Sequence, residues 1–198
     1  MKITLFSKDE FDLEEARYLN KIFKSFDIKF HLRMPNSLEE DWRSFLNQID
    51  AKFHSRIVLH GHFNLLKEFD VAGLHASEKN KSKLLDKGIY NKFISTVAHK
   101  ENEAFRVSEK FSFLRYLFLA PIFQSVSQPE KSAGFTFEDL KNFVSKLTIP
   151  VIALGGVRLE NVRSLTRLGF AGVGVKGAFW QNSNPSTFLS RLESELGR

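Results

Sequence analysis

Residues Ile149-Pro150-Val151-Ile152-Ala153-Leu154 run without a charge into Gly155-Gly156, and a helical pattern begins within three residues, at Arg158-Leu159-Glu160-Asn161-Val162. A strand that meets water on neither face reads this way, and it needs a parallel sheet covered by helices. Two glycines at its exit let the backbone approach a ligand closely and leave amide N–H groups to meet an anion. A less pure copy follows, in which Phe170-Ala171-Gly172-Val173-Gly174-Val175 leads into Lys176-Gly177. Two neighbouring strands that end in glycine beside a cation predict a phosphate site on Gly155, Gly156, Lys176 and Gly177, between the last two strands of a barrel.

The rest of the chain alternates in the same way. Strands are expected at Ile3–Phe6, Ile28–Arg33, Ile57–Leu59, Val71–Ala76, Phe93–Ala98 and Tyr116–Phe123, ahead of the two already described. Helices are expected at Leu13–Phe26, after Pro35, at His62–Phe69, Lys100–Phe111, Thr136–Leu147, Arg158–Leu168 and Pro185–Leu196, with Glu78–Lys87 as a solvated helix or loop. Ser37 and Glu40 have the spacing of a capping box. In the second strand Ile28, Phe30 and Leu32 alternate with Lys29, His31 and Arg33, so the apolar set packs on the helices and Arg33 reaches the mouth. Eight strand–helix units predict an α/β fold, a single small (β/α)8 TIM barrel spanning residues 1–198. The polar stretch Gln124–Gly134 is the longest loop and the lid candidate.

Composition removes several functions. The chain of 198 residues contains no cysteine, which excludes disulfides, thiolate metal sites and a thiol nucleophile. Its net charge of +6 favours anionic partners, but the cations are spread along the chain, so charge supports a phosphorylated small molecule about as well as nucleic acid. The partner expected for the chain as a whole is the phosphorylated small molecule, with no nucleic acid. No stretch has the length of a membrane span and Met1–Lys8 does not read as a signal peptide, so a soluble, cytoplasmic protein without a membrane partner is expected.

In a barrel of this kind chemistry sits at the C-terminal strand ends. Those ends carry Arg33, His60 with His62, His75, His99, Ser125 with Ser127, Gly155-Gly156 and Lys176-Gly177. Histidine, serine, glycine amides and cations with few acids suit an anionic substrate and proton transfer, and suit magnesium poorly. Plainer roles exist for several of them. His60 and His62 could simply open a loop, His31 and His75 could fill the interior, and Arg33 could pair with a helix acid. Three histidines could also bind a metal, but they come from different strands without local ligand spacing, so no metal site is expected.

These residues resemble a known family. His31-Leu32-Arg33, Gly73-Leu74-His75, Val97-Ala98-His99 with Glu103-Ala104, Pro121-Ile122-Phe123 and Ile149–Val157 are similar to the superfamily of thiamine phosphate synthase and thiazole tautomerase, small (β/α)8 barrels of vitamin B1 metabolism. The resemblance implies substrate contacts at Arg33, Ser125 and Ser127, and thiazole phosphate on Gly155, Gly156, Lys176 and Gly177. The active face adds His60 and His75 as substrate-binding candidates. The chain departs from the synthase where Asn-Asp is normal after strand three, which reads His60-Gly61, and at the aspartate after strand four, nearest to Asn80. Pro35 and Gln128 stand where pyrophosphate-binding lysines fall, and Val97 replaces a serine. The tautomerase branch needs neither magnesium nor pyrophosphate and uses a histidine after strand five, which His99 matches.

The expected activity is therefore a metal-independent tautomerisation of a thiazole phosphate with His99 as acid–base. A magnesium-dependent thiamine phosphate synthase and a non-catalytic thiazole or thiamine phosphate binder are the alternatives. No cofactor is expected unless the synthase alternative holds, and a homodimer is the oligomer to test.

Overall fold

The structure is a computed structural model that describes residues 2–85, 92–124 and 134–197. Eight parallel strands close in sequence order into a barrel: β1 (Lys2–Phe6), β2 (Ile28–Leu32), β3 (Ile57–Leu59), β4 (Gly73–Ala76), β5 (Phe93–Ala98), β6 (Tyr116–Leu119), β7 (Val151–Leu154) and β8 (Gly172–Val175). β1 pairs with both β2 and β8, which closes the ring without a free edge. The helices are α1 (Leu13–Ser25), α2 (Glu39–Asn47), α3 (Glu101–Lys110), α4 (Phe137–Phe143), α5 (Leu159–Arg167), the single turn α6 (Gly177–Trp180) and α7 (Pro185–Glu195). Short 3-10 turns stand between β3 and β4 and after β4. No helix among the described residues is long and apolar enough to cross a membrane.

The alternation in β2 resolves as expected. Phe30 faces outward, stacking on Phe45 at 6.1 Å and meeting Phe23 edge-on at 6.4 Å. The barrel interior is a separate layer in which Phe6, Phe118 and Ile152 pack with Val97, Tyr116 and Leu154. β8 needs glycine at Gly172, where a Cβ would lie 2.5 Å from the backbone oxygen of Lys2, and at Gly174 a Cβ would press on Leu154 Cδ1 at 2.8 Å. His31 is fully buried between Phe6 and Phe118.

Several boundaries differ from the sequence reading. The N-cap of α2 falls one residue late: Ser37 N–H closes a turn onto Met34 O, and Leu38 becomes the N-cap with its N–H donated to Asp41 Oδ2. The expected capping box of Ser37 and Glu40 does not form, because Ser37 is spent in that turn. β6 ends at Leu119, and Ala120–Gln124 folds over the exit of β7, donating Ile122 N–H to Leu154 O and Phe123 N–H to Gly155 O. The long helix expected over Thr136–Leu147 is α4 followed by a 3-10 turn, Val144–Lys146.

Candidate functional site

Three features converge on the C-terminal mouth: a glycine corner, a bridged pair of cations and an exposed imidazole. The corner is built by Gly155 and Gly156 at φ +92° and +63°. A Cβ on Gly155 would lie 2.9 Å from Pro121 Cα, and one on Gly156 would run into Gln124 O and Phe123. Both positions therefore need glycine for the fold as well as for any ligand. The N–H groups of Gly156 and Val157 have no acceptor among the described residues, as an anion cradle requires. Asn161, three residues after Arg158, ties the corner to α5 by donating from Nδ2 to Gly156 O.

Arg33 and Lys176 reach the mouth from β2 and β8. One acid bridges them: Arg33 Nη1 lies 2.8 Å from Asp9 Oδ1, and Lys176 Nζ lies 2.6 Å from Asp9 Oδ2. Asp9 sits in the loop after β1, and sequence reasoning missed it because no periodic pattern marks a loop acid. The loop is held from below. Buried Ser7 accepts from Arg33 N–H and donates to Arg33 O, and the buried carboxyl of Glu15 accepts from Lys8 N–H. Burial raises the Glu15 carboxyl to about 8, opposed by its bond to Lys8.

His99 stands at the exit of β5 with its side chain exposed. Its Nδ1 lies 2.5 Å from Ala120 O, and a carbonyl only accepts, so the neutral ring carries its proton on Nδ1 and keeps a lone pair on Nε2. Its own backbone N–H is donated to Glu103 Oε2 at 2.8 Å, and Glu103 also pairs with Lys81. The imidazole is thus fixed in tautomer by Ala120, just after β6, and its backbone is held by α3, with one nitrogen available to a substrate.

The other predicted histidines lie deeper. His31 Nδ1 and His60 Nε2 are 2.8 Å apart, His31 Nε2 meets Tyr116 Oη at 2.7 Å, and His75 Nδ1 meets Ser95 Oγ at 2.9 Å. A register shift between Leu74 and His75 brings His75 opposite Ser95. His60 stacks on His75 with centroids 4.1 Å apart. Burial holds all three rings neutral, His75 down at about 3 and the others well below the usual imidazole range; repulsion from His75 adds to this at His31 and His60, and repulsion from Lys81 and Arg33 at His75. His62 instead packs on Trp42 and lies beside Glu39. Ser125 and Ser127 lie outside the described residues, as does most of the expected lid.

Magnesium, the ion implied by the synthase resemblance, takes carboxylate, carbonyl and water oxygens. Among the described residues Glu78 and Glu103 are paired with Lys81, and Asp9 is shared by two cations. Asn80 Oδ1 is buried without a partner among them, but it is a single neutral oxygen. The one cluster of three potential ligands found among the described residues, His31, His60 and His75, is all nitrogen. The described residues do not fit magnesium.

Comparison with known proteins adds a family. A family model described as thiamine monophosphate synthase matches residues 13–179. The thiamine-phosphate synthase of Latilactobacillus sakei is 22% identical over 163 residues, covering 79% of this chain and 73% of its own. That of Dictyoglomus turgidum is 23% identical over 126 residues, covering 63% of this chain. This chain spans about half the length of the first curated relatives it matches, between 50% and 57%. The thiamine phosphate pyrophosphorylase of Bacteroides thetaiotaomicron superposes with a TM-score of 0.82 at 26% identity, covering 100% of this chain and 98% of its own. The Pyrococcus furiosus protein of the same description superposes at 0.80 with 16% identity, over 99% of this chain and 95% of its own, and speaks for the fold alone.

Proposed function

Since the chain belongs to the thiamine monophosphate synthase family, we propose that it binds a thiazole phosphate of thiamine biosynthesis and moves a ring proton with His99, a tautomerisation that needs no magnesium. The observation that carries this reading is the Nδ1 bond of His99 to Ala120 O, which leaves Nε2 as the proton acceptor at the mouth. In this reading the substrate phosphate sits on the amides of Gly156 and Val157 and at the end of β8, beside Lys176 and Gly177. Arg33 holds a carboxylate on the thiazole, and Ser125 and Ser127 complete the substrate contacts. His99 Nε2 removes the proton from the ring carbon and returns it to the conjugate position, so no atom is gained or lost. The Ala120 carbonyl stabilises the transient imidazolium by accepting from its Nδ1–H.

A second reading, condensation of a pyrimidine pyrophosphate with the thiazole phosphate, is favoured by the names of the relatives. The donor set among the described residues, unsuited to magnesium, speaks against it. Kinetics of His99→Asn separate the readings. The variant is expected to keep its fold and its affinity for a thiazole phosphate, and to lose tautomerase turnover by about 10² to 10⁴. Full tautomerase activity in the variant would remove His99 from the mechanism.

A further inference from the structure

We infer that His31, His60 and His75 form a binding site for a transition-metal dication of the zinc type in the barrel interior, beneath the substrate mouth. Their ligand nitrogens all lie within 4.8 Å of one another. A tetrahedral ion with nitrogen ligands at about 2.0–2.1 Å places them about 3.3 Å apart, so the cluster has to close by about 1.5 Å at most. Imidazole without carboxylate selects zinc, cobalt, nickel or copper over magnesium.

The surroundings are those of a built site. His75 Nδ1 is engaged by Ser95 Oγ and His31 Nε2 by Tyr116 Oη, so two of the three rings have one nitrogen held by a neighbour and the other left for an ion. Ser95 is fully buried. The bond between His31 Nδ1 and His60 Nε2 shares one proton, and an ion would take its place. That proton moves to the far nitrogen of its own ring: Nε2 of His31, where Tyr116 Oη accepts it, or Nδ1 of His60. The stack of His60 on His75 has to open for both lone pairs to converge. His60 is the ring with room to turn, being the one of the three that is not buried. It also borders the mouth, which supplies the path by which an ion enters.

The site stands apart from the tautomerase reading, because binding is read without substrate. Cobalt(II) is titrated into the chelator-treated full chain and followed by its d–d absorption and by calorimetry. One equivalent is expected to bind at micromolar concentration with the intense bands of a four-coordinate ion. Zinc is expected to displace it, and magnesium in large excess is not. His60→Asn should abolish the bands, and Ser95→Ala, a milder change, should weaken binding by about 10- to 100-fold. His62→Gln and His99→Asn, at the surface, should leave it intact. Circular dichroism confirms that each variant is folded. The inference is overturned if the wild type gives no such bands, if only six-coordinate weak bands appear, or if His60→Asn binds as well as the wild type. Binding lost in His62→Gln or His99→Asn instead would identify an adventitious surface ion and overturn it equally.

Discussion

At the scale of single residues, the mouth is set by how few charges are left uncommitted. Asp9 neutralises part of both Arg33 and Lys176, although all three side chains keep exposed surface, so the pairs add little to stability. Asp9 competes with any anion those cations would hold. Asp9→Asn should therefore tighten binding of inorganic phosphate several-fold at low ionic strength, shift stability by less than about 1 kcal/mol, and lose its advantage in high salt. Calorimetric phosphate titrations at two salt concentrations check this, and weaker binding by the variant would mean that Asp9 holds the cations in place. Arg33 at the mouth was legible in the sequence because the polar and apolar residues of β2 alternate cleanly. Asp9 was not, since its two partners lie 24 and 167 positions away and meet it only when β8 closes on β1.

At the scale of elements, the glycine corner between β7 and α5 has two duties. The sequence pattern points to a ligand there, and the fold adds a packing reason: the Pro121–Gln124 loop lies directly on it. Gly156→Ala would place a side chain at φ +63° against Gln124 O and Phe123. It should cost about 2 kcal/mol or more, visible as a lower denaturant midpoint, together with any loss of phosphate affinity. Unchanged stability in that variant would contradict the close packing described. The shift that sets His75 opposite Ser95 is another feature of elements rather than residues. The run Val71-Ala72-Gly73-Leu74 reads as a plain strand, and a register irregularity leaves no periodic trace. Nor does sequence spacing place His31, His60 and His75 together, because only barrel closure turns their alternate inward positions toward one another.

At the scale of the whole molecule, buried ionisable groups set how stability depends on pH. The unfolded chain protonates its histidines below about pH 6.5, while His31, His60 and His75 stay neutral in the fold. Stability from these rings is present above that pH and is lost as pH falls, each contributing up to about 1.4 kcal/mol per pH unit. Glu15 acts in the opposite sense. Its carboxyl holds a proton up to about 8 against 4.5 when unfolded, so its stabilisation is complete below pH 4.5 and is lost as pH rises towards 8. The sum predicts a stability maximum near pH 6.5, and Glu15→Gln should flatten the alkaline side in urea denaturation measured across pH. A maximum that stays above pH 8 would contradict this assignment. The central claim is that the barrel moves a proton on a thiazole phosphate without magnesium. It is tested most directly by giving the full chain the non-aromatic thiazole carboxylate phosphate isomer and following ring aromatisation, beside a condensation assay with the pyrimidine pyrophosphate, each with and without magnesium. Aromatisation at the same rate in both conditions, with no condensation, is the predicted result. Magnesium-dependent condensation without aromatisation would contradict it.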